Sequence, residues 1–254
     1  VESLYLDYLE ALNTHFEQYP YLLGWRPSVG DFGLIAPMYA HLGRDPHPAK
    51  LMQQRAVSVY RWVERMNRYD QDVPEFFNAG NDFVEDDEVP ESLIAVLRVL
   101  AEDFVPETLA AADAINGWLA DNKPEAGTPA VGRLAQAPGT ATFELRGKTI
   151  EALAQPHRFY LLQRVQSDYA SLPEAEKVGV DAVLAHVTVH ELLRIFPRRC
   201  TDDVPRCLVV VDVVDHDEVL AGILFTKLPD HCHRFWRATV LLHFCDEASD
   251  LGFG

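Results

Sequence analysis

Ser28 and Asp31 stand three residues apart, a spacing that serves two purposes. A serine beside an acid could belong to a nucleophilic site, but that chemistry needs a base to take the hydroxyl proton. No histidine is placed suggestively nearby. The same spacing is that of an N-capping box, in which the Ser28 hydroxyl accepts from the Asp31 backbone N–H and the Asp31 carboxylate reaches back to the Ser28 N–H. The capping reading is preferred. His231-Cys232-His233, with His243 and Cys245, are residue types that zinc takes. Their spacing matches no finger or ribbon, and neighbours on a strand point to opposite faces, so no metal site is expected. Asp212, Asp215, Asp217 and Glu218 lack the glycine that turns an EF-hand loop, and read as a solvated turn between two strands. His41, Arg44 and Asp45 sit at a helix junction, where Asp45 is expected to cap and Arg44 to pair with surface carboxylates. Tyr5, Tyr8, Met38, Tyr39 and Trp62 could line an apolar ligand site, or fill a core at helical spacing.

Helices must position these groups. Tyr5, Tyr8, Leu9, Leu12 and Phe16 share one face of a helix over residues 3–18. The capping box opens a second helix over 28–42. Its inward face is expected to be Phe32, Ile35, Ala36 and Tyr39, with Pro27 stapled on Phe32, a kink at Pro37 and Gly43 closing it. That helix is expected at the centre of the bundle. Asp45-Pro46 starts a third, whose stripe is Met52, Ala56, Val59, Val63 and Met66. Residues 68–90 read as a polar, acidic loop. A long helix from Glu91 to about Asn122 turns Leu93, Leu97, Leu100 and Phe104 inward, with Pro106 kinking or splitting it. The alternation from Thr142 to Glu151 around Arg146-Gly147 reads as a β-hairpin, and helices are expected over 157–171 and 174–195. Beyond Pro197 the texture changes to two apolar runs, 208–214 and 219–226, without clear period. The fold class is therefore mainly α, a helical bundle with a small hairpin insertion and an irregular or β-rich tail.

Composition narrows the function classes. A net charge of −17 repels phosphate backbones and anionic lipid, so neither nucleic acid nor a membrane surface is an expected partner. The longest apolar stretch, Cys207 to Thr226, carries four acids and is no membrane span. All four cysteines follow residue 199, which is not a disulfide-built secreted fold. A reducing, cytoplasmic setting is expected. The first residue is Val1, and the chain reads as a fragment of a longer one.

The segment Tyr21-Leu22-Leu23-Gly24-Trp25-Arg26-Pro27-Ser28-Val29-Gly30-Asp31-Phe32-Gly33-Leu34 resembles the entry to the sixth helix of cytosolic glutathione S-transferases. There a capping box starts a buried central helix. Ala40 to Pro46, Val59 to Met66, Pro90 to Trp118, Thr142 to Gly147 and Tyr160 to Gln166 are similar to one bacterial branch of that family. The resemblance covers about residues 1–195. It implies a C-terminal-like bundle over 1–122, further family elements over 123–196, and a divergent tail over 197–254 that adds little to the stability of the body. It also implies a role as the electrophile-site half of a transferase, with Tyr5, Met38, Tyr39 and Trp62 as substrate-pocket candidates. Nothing here resembles the thioredoxin-like N-terminal domain that activates glutathione. No catalytic or glutathione-binding residue is therefore assigned, and no cofactor beyond glutathione as co-substrate of a full-length parent. The implied partners are that missing domain and a second copy in a homodimer. The alternative is a stand-alone helical module that binds a protein or ligand without catalysis.

Overall fold

The computed structural model describes residues 2–68, 75–77, 80–123 and 139–187. The expected turn at 212–218, the His231–Cys245 group, both apolar runs and the whole 197–254 tail lie outside the described residues. What is described is mainly helical: α1 (Glu2–Phe16), α2 (Val29–Ala40), α3 (Pro46–Arg55), α4 (Val57–Met66), α5 (Glu91–Asn122), the strands β1 (Thr140–Leu145) and β2 (Lys148–Leu153), then α6 (His157–Ser171) and α7 (Glu174–Val187). The chain divides into two compact units, and among the described residues the division falls inside α5 between Ala101 and Glu102 and inside α7 between Val178 and Gly179.

In the first unit, α1 turns Tyr5, Tyr8, Leu9, Leu12, His15 and Phe16 inward, the stripe its periodicity predicts plus one histidine. α4 packs against α1, α2 and α3, so α4 and not α2 is the hub of these four helices. Val59, Trp62 and Val63 of α4 are buried, and the Trp62 ring stacks on Phe16 with centroids 5.0 Å apart.

Three expectations are corrected here. The single helix from Pro46 to Met66 is two, broken at Ala56, where φ −141° and ψ 65° leave the helical region. No Gly or Pro marks this break. A distant acceptor accompanies it: Asn13 Oδ1 of α1 takes the Ser58 backbone N–H at 2.8 Å, satisfying one of the orphan donors at the start of α4. The buried side of α2 is Gly30, Asp31, Gly33, Leu34, Pro37 and Met38. The expected face is turned outward instead, with Phe32 59% and Tyr39 39% exposed, so Phe32 is no staple. Gly30 and Gly33 belong to the buried side, and a tally that counts only large side chains misses them. Finally, Pro106 does not split α5, which runs for 32 residues through it.

The 68–90 stretch is not wholly solvated loop. The Trp25 backbone N–H donates to the Asp82 carbonyl at 3.0 Å and that of Val84 to the Leu23 carbonyl at 3.0 Å. These bonds bring 82–84 alongside 23–25. Gly24, at φ +115°, sits where a Cβ would meet the Val84 nitrogen at 2.8 Å, so both its backbone angle and its closeness require glycine.

The second unit holds the hairpin. β1 and β2 pair antiparallel from Thr140↔Leu153 to Leu145↔Lys148. Arg146 and Gly147 both have positive φ, 50° and 72°, the signature of a two-residue type I′ turn whose twist matches the strands. Two strands alone are marginal in water. Here Ala141 and Phe143 are buried on one side, and Arg146 donates to both carboxylate oxygens of Glu102 on α5 at 2.6 and 2.8 Å.

Two glycines should respond to alanine in opposite directions. Gly147 faces open space, so Gly147→Ala meets no clash and shows only the cost of a left-handed backbone, a loss of about 1 kcal/mol. Gly117 also faces open space but lies within α5, so Gly117→Ala should gain about 0.5–1 kcal/mol from helix propensity. Denaturant midpoints of the two variants check this. Shifts of the same sign would contradict the assigned backbone.

Candidate functional site

The most connected polar group of the first unit is Asp31. Ser28, in extended conformation with φ −94° and ψ 171°, caps α2, and its hydroxyl accepts from the Asp31 N–H. Asp31 Oδ2 accepts from the Ser28 N–H at 2.8 Å and from the Ser28 hydroxyl at 2.7 Å. Both halves of the capping box are thus in place. The second oxygen does what the sequence did not announce. Oδ1 accepts from the Leu22 N–H at 3.1 Å and from the Trp62 indole N–H at 3.0 Å. One carboxylate therefore joins the start of α2, the turn before it and the hub helix α4.

Burial holds the Asp31 carboxyl above its ordinary value, against the opposing pull of its hydrogen bonds from Ser28, Leu22 and Trp62. Of the four donors, two backbone N–H groups and an indole N–H can only donate. A protonated carboxyl would turn its own proton toward donors, so the geometry fits the ionised form. A buried, fully engaged carboxylate of this kind is a structural clamp. It has no open lone pair to offer a substrate proton.

The pocket candidates divide. Met38 and Trp62 are sealed in the core, and Tyr5 is buried with its hydroxyl donating to the Pro48 carbonyl at 3.3 Å. Tyr39 faces solvent, and the Arg44 guanidinium lies over its ring at 5.4 Å. Only Tyr39 of the four offers a ligand a broad surface. Arg44 meets an aromatic face where a carboxylate was expected. Asp45 stands at the N-cap of α3 but makes no side-chain cap bond, leaving its carbonyl to accept from Ala49 at 3.0 Å. His41 is the C-cap of α2, donating its N–H to Pro37.

Two buried groups of the first unit were missed in the sequence. His15 is fully buried, with Nδ1 2.9 Å from the Ser92 hydroxyl of α5 and Nε2 3.3 Å from the Tyr21 carbonyl. A carbonyl can only accept, so Nε2 carries the proton and Nδ1 accepts from Ser92. This is a serine–histidine contact, yet burial lowers the imidazole pKa to about 4, which makes it a feeble base for activating a hydroxyl. Its position had a signal, since Tyr8, Leu12 and His15 follow the inward period of α1. Arg65 on α4 is 5% exposed. It donates to the Pro20 carbonyl at 2.8 Å, pairs with Glu75, and lies 5.4 Å from the Tyr21 ring and 5.8 Å from that of Phe76. Its guanidinium ties 20–21 and 75–76 to α4. Only its place three residues after Trp62 pointed inward, and nothing near Glu75 marked the partner.

Among the described residues no group of three or more His, Cys, Asp or Glu is arranged to hold a metal ion. No helix among them is long and apolar enough to cross a membrane. No family model, curated protein or solved structure matches this chain.

Proposed function

We propose that this chain is the helical, electrophile-site half of a glutathione S-transferase-like protein, working in a reducing cytoplasm, whose glutathione-activating step comes from a thioredoxin-like domain. The observation that supports this reading is the entry to α2. The Tyr21–Leu34 segment carries the resemblance, and within it Ser28 and Asp31 form the capping box that starts the helix. The chemistry divides accordingly. Conjugation needs a thiolate, and a thiol loses its proton beside a donor or a helix N-terminus that stabilises the anion. The polar groups assembled at Asp31, His15 and Arg65 are each engaged in holding elements of this chain together. A helical half contributes by holding an electrophile against a thiolate supplied elsewhere, which is catalysis by proximity.

A second reading, a stand-alone binding module, draws on the outward side of α2, where Phe32 and Tyr39 present aromatic surface without a charged residue of the same helix beside them. The two readings are separated by the coding sequence upstream of Val1. A contiguous frame for a thioredoxin-like domain, whose joined product conjugates glutathione to an aryl halide, supports the transferase. A joined product without that activity, or a start codon at Val1, favours the module.

The chain by itself should conjugate no aryl halide above the uncatalysed rate and should pass through a glutathione resin. Retention that free glutathione reverses would place a glutathione site in this half and overturn the division of labour.

A further inference from the structure

We draw no further inference here: the strongest candidate, the outward apolar stripe of α2 formed by Phe32, Ile35, Ala36 and Tyr39, carries nothing because nothing in the structure shows what covers it.

Discussion

Asp31→Asn is expected to lower stability by about 2–4 kcal/mol, although asparagine is nearly isosteric with aspartate and would keep part of the capping box. The reason is the donor count. Each carboxylate oxygen accepts two hydrogen bonds, from Ser28 N–H and hydroxyl on one side and from Leu22 N–H and the Trp62 indole on the other. An amide has one acceptor oxygen. Turned toward Leu22 and Trp62, its NH2 faces two groups that can only donate. Turned toward Ser28, it faces one such N–H and a hydroxyl able to accept. At least one buried donor is therefore left unmatched, at about 1–3 kcal/mol each, and the remaining bonds lose their charge. Asp31→Ala strands all four donors and should cost about 3–5 kcal/mol, the range for removing one partner of a buried charge. Ser28→Ala and Trp62→Phe each remove part of the set. They should cost about 1 kcal/mol for the lost cap and about 1–2 kcal/mol for the lost indole donor. Urea melts of the four variants establish the order. An Asp31→Asn loss under about 1 kcal/mol, no more than an ordinary cap, would mean that the four donors do not require an ionised carboxylate, and a Trp62→Phe variant as stable as the wild type would mean that the indole bond contributes nothing.

The capping box shows where sequence reading succeeds and where it stops. Ser28 and Asp31 are three residues apart, so their bond is local and follows from spacing alone. Leu22 is nine residues away from Asp31 and Trp62 thirty-one, and no pattern announces which distant donors will reach a buried carboxylate. The same limit explains the helix break at Ala56. Its local sequence favours continuation, and the acceptor at the new helix start is Asn13, 45 positions earlier. Local rules also located the hairpin, because Arg146-Gly147 is a turn that only positive φ satisfies. They placed α6 over its full 157–171 span, and α1 and α5 within two residues of their ends.

The face of α2 failed for a different reason. Nearly every residue from Val29 to Ala40 is apolar, so periodicity gives no contrast by which to choose an inward side. The choice follows from Asp31. A carboxylate that must be buried against Leu22 and Trp62 turns Leu34 and Met38, three and seven positions on, to the same side. Phe32 is left outside. Tyr39 turns outward with that face, whereas Tyr5, Met38 and Trp62 lie in the core that their spacing equally allowed. The candidate site was legible as a set of residue types. Its connections were not.

The second large effect is expected with pH and belongs to His15. The imidazole is fully buried, its two nitrogens satisfied as a neutral ring between the Ser92 hydroxyl and the Tyr21 carbonyl. The Tyr19 ring stacks on it and Phe16 meets it edge-on, both with centroids 5.4 Å away. Burial is the main cause that lowers its pKa from 6.5 to about 4, against the opposing pull of backbone bonds to Tyr21 and Leu22. The folded pKa lies below the unfolded one, so between the two values the unfolded chain binds more protons. Stability is therefore complete above about pH 6.5 and falls as the pH is lowered towards 4. At ~1.4 kcal/mol per pH unit the full effect is about 3 kcal/mol. Asp103 on α5 acts in the opposite sense. Burial, with Glu107 and Glu102 adding to it, raises its carboxyl to about 6 against the pull of Arg158, so its contribution rises as the pH falls. A wild-type pH profile mixes these terms, and a difference between proteins separates them. His15→Gln keeps a polar group but cannot reproduce both ring bonds, so it should start less stable at pH 7 by about 1–3 kcal/mol. Between pH 7 and 4 it should then lose about 3 kcal/mol less than the wild type. Urea melts at pH 7, 5.5 and 4 give both slopes. If the two proteins lose stability in parallel, the His15 pKa is the same in the folded and unfolded chain, and burial does not hold the ring neutral beside Ser92.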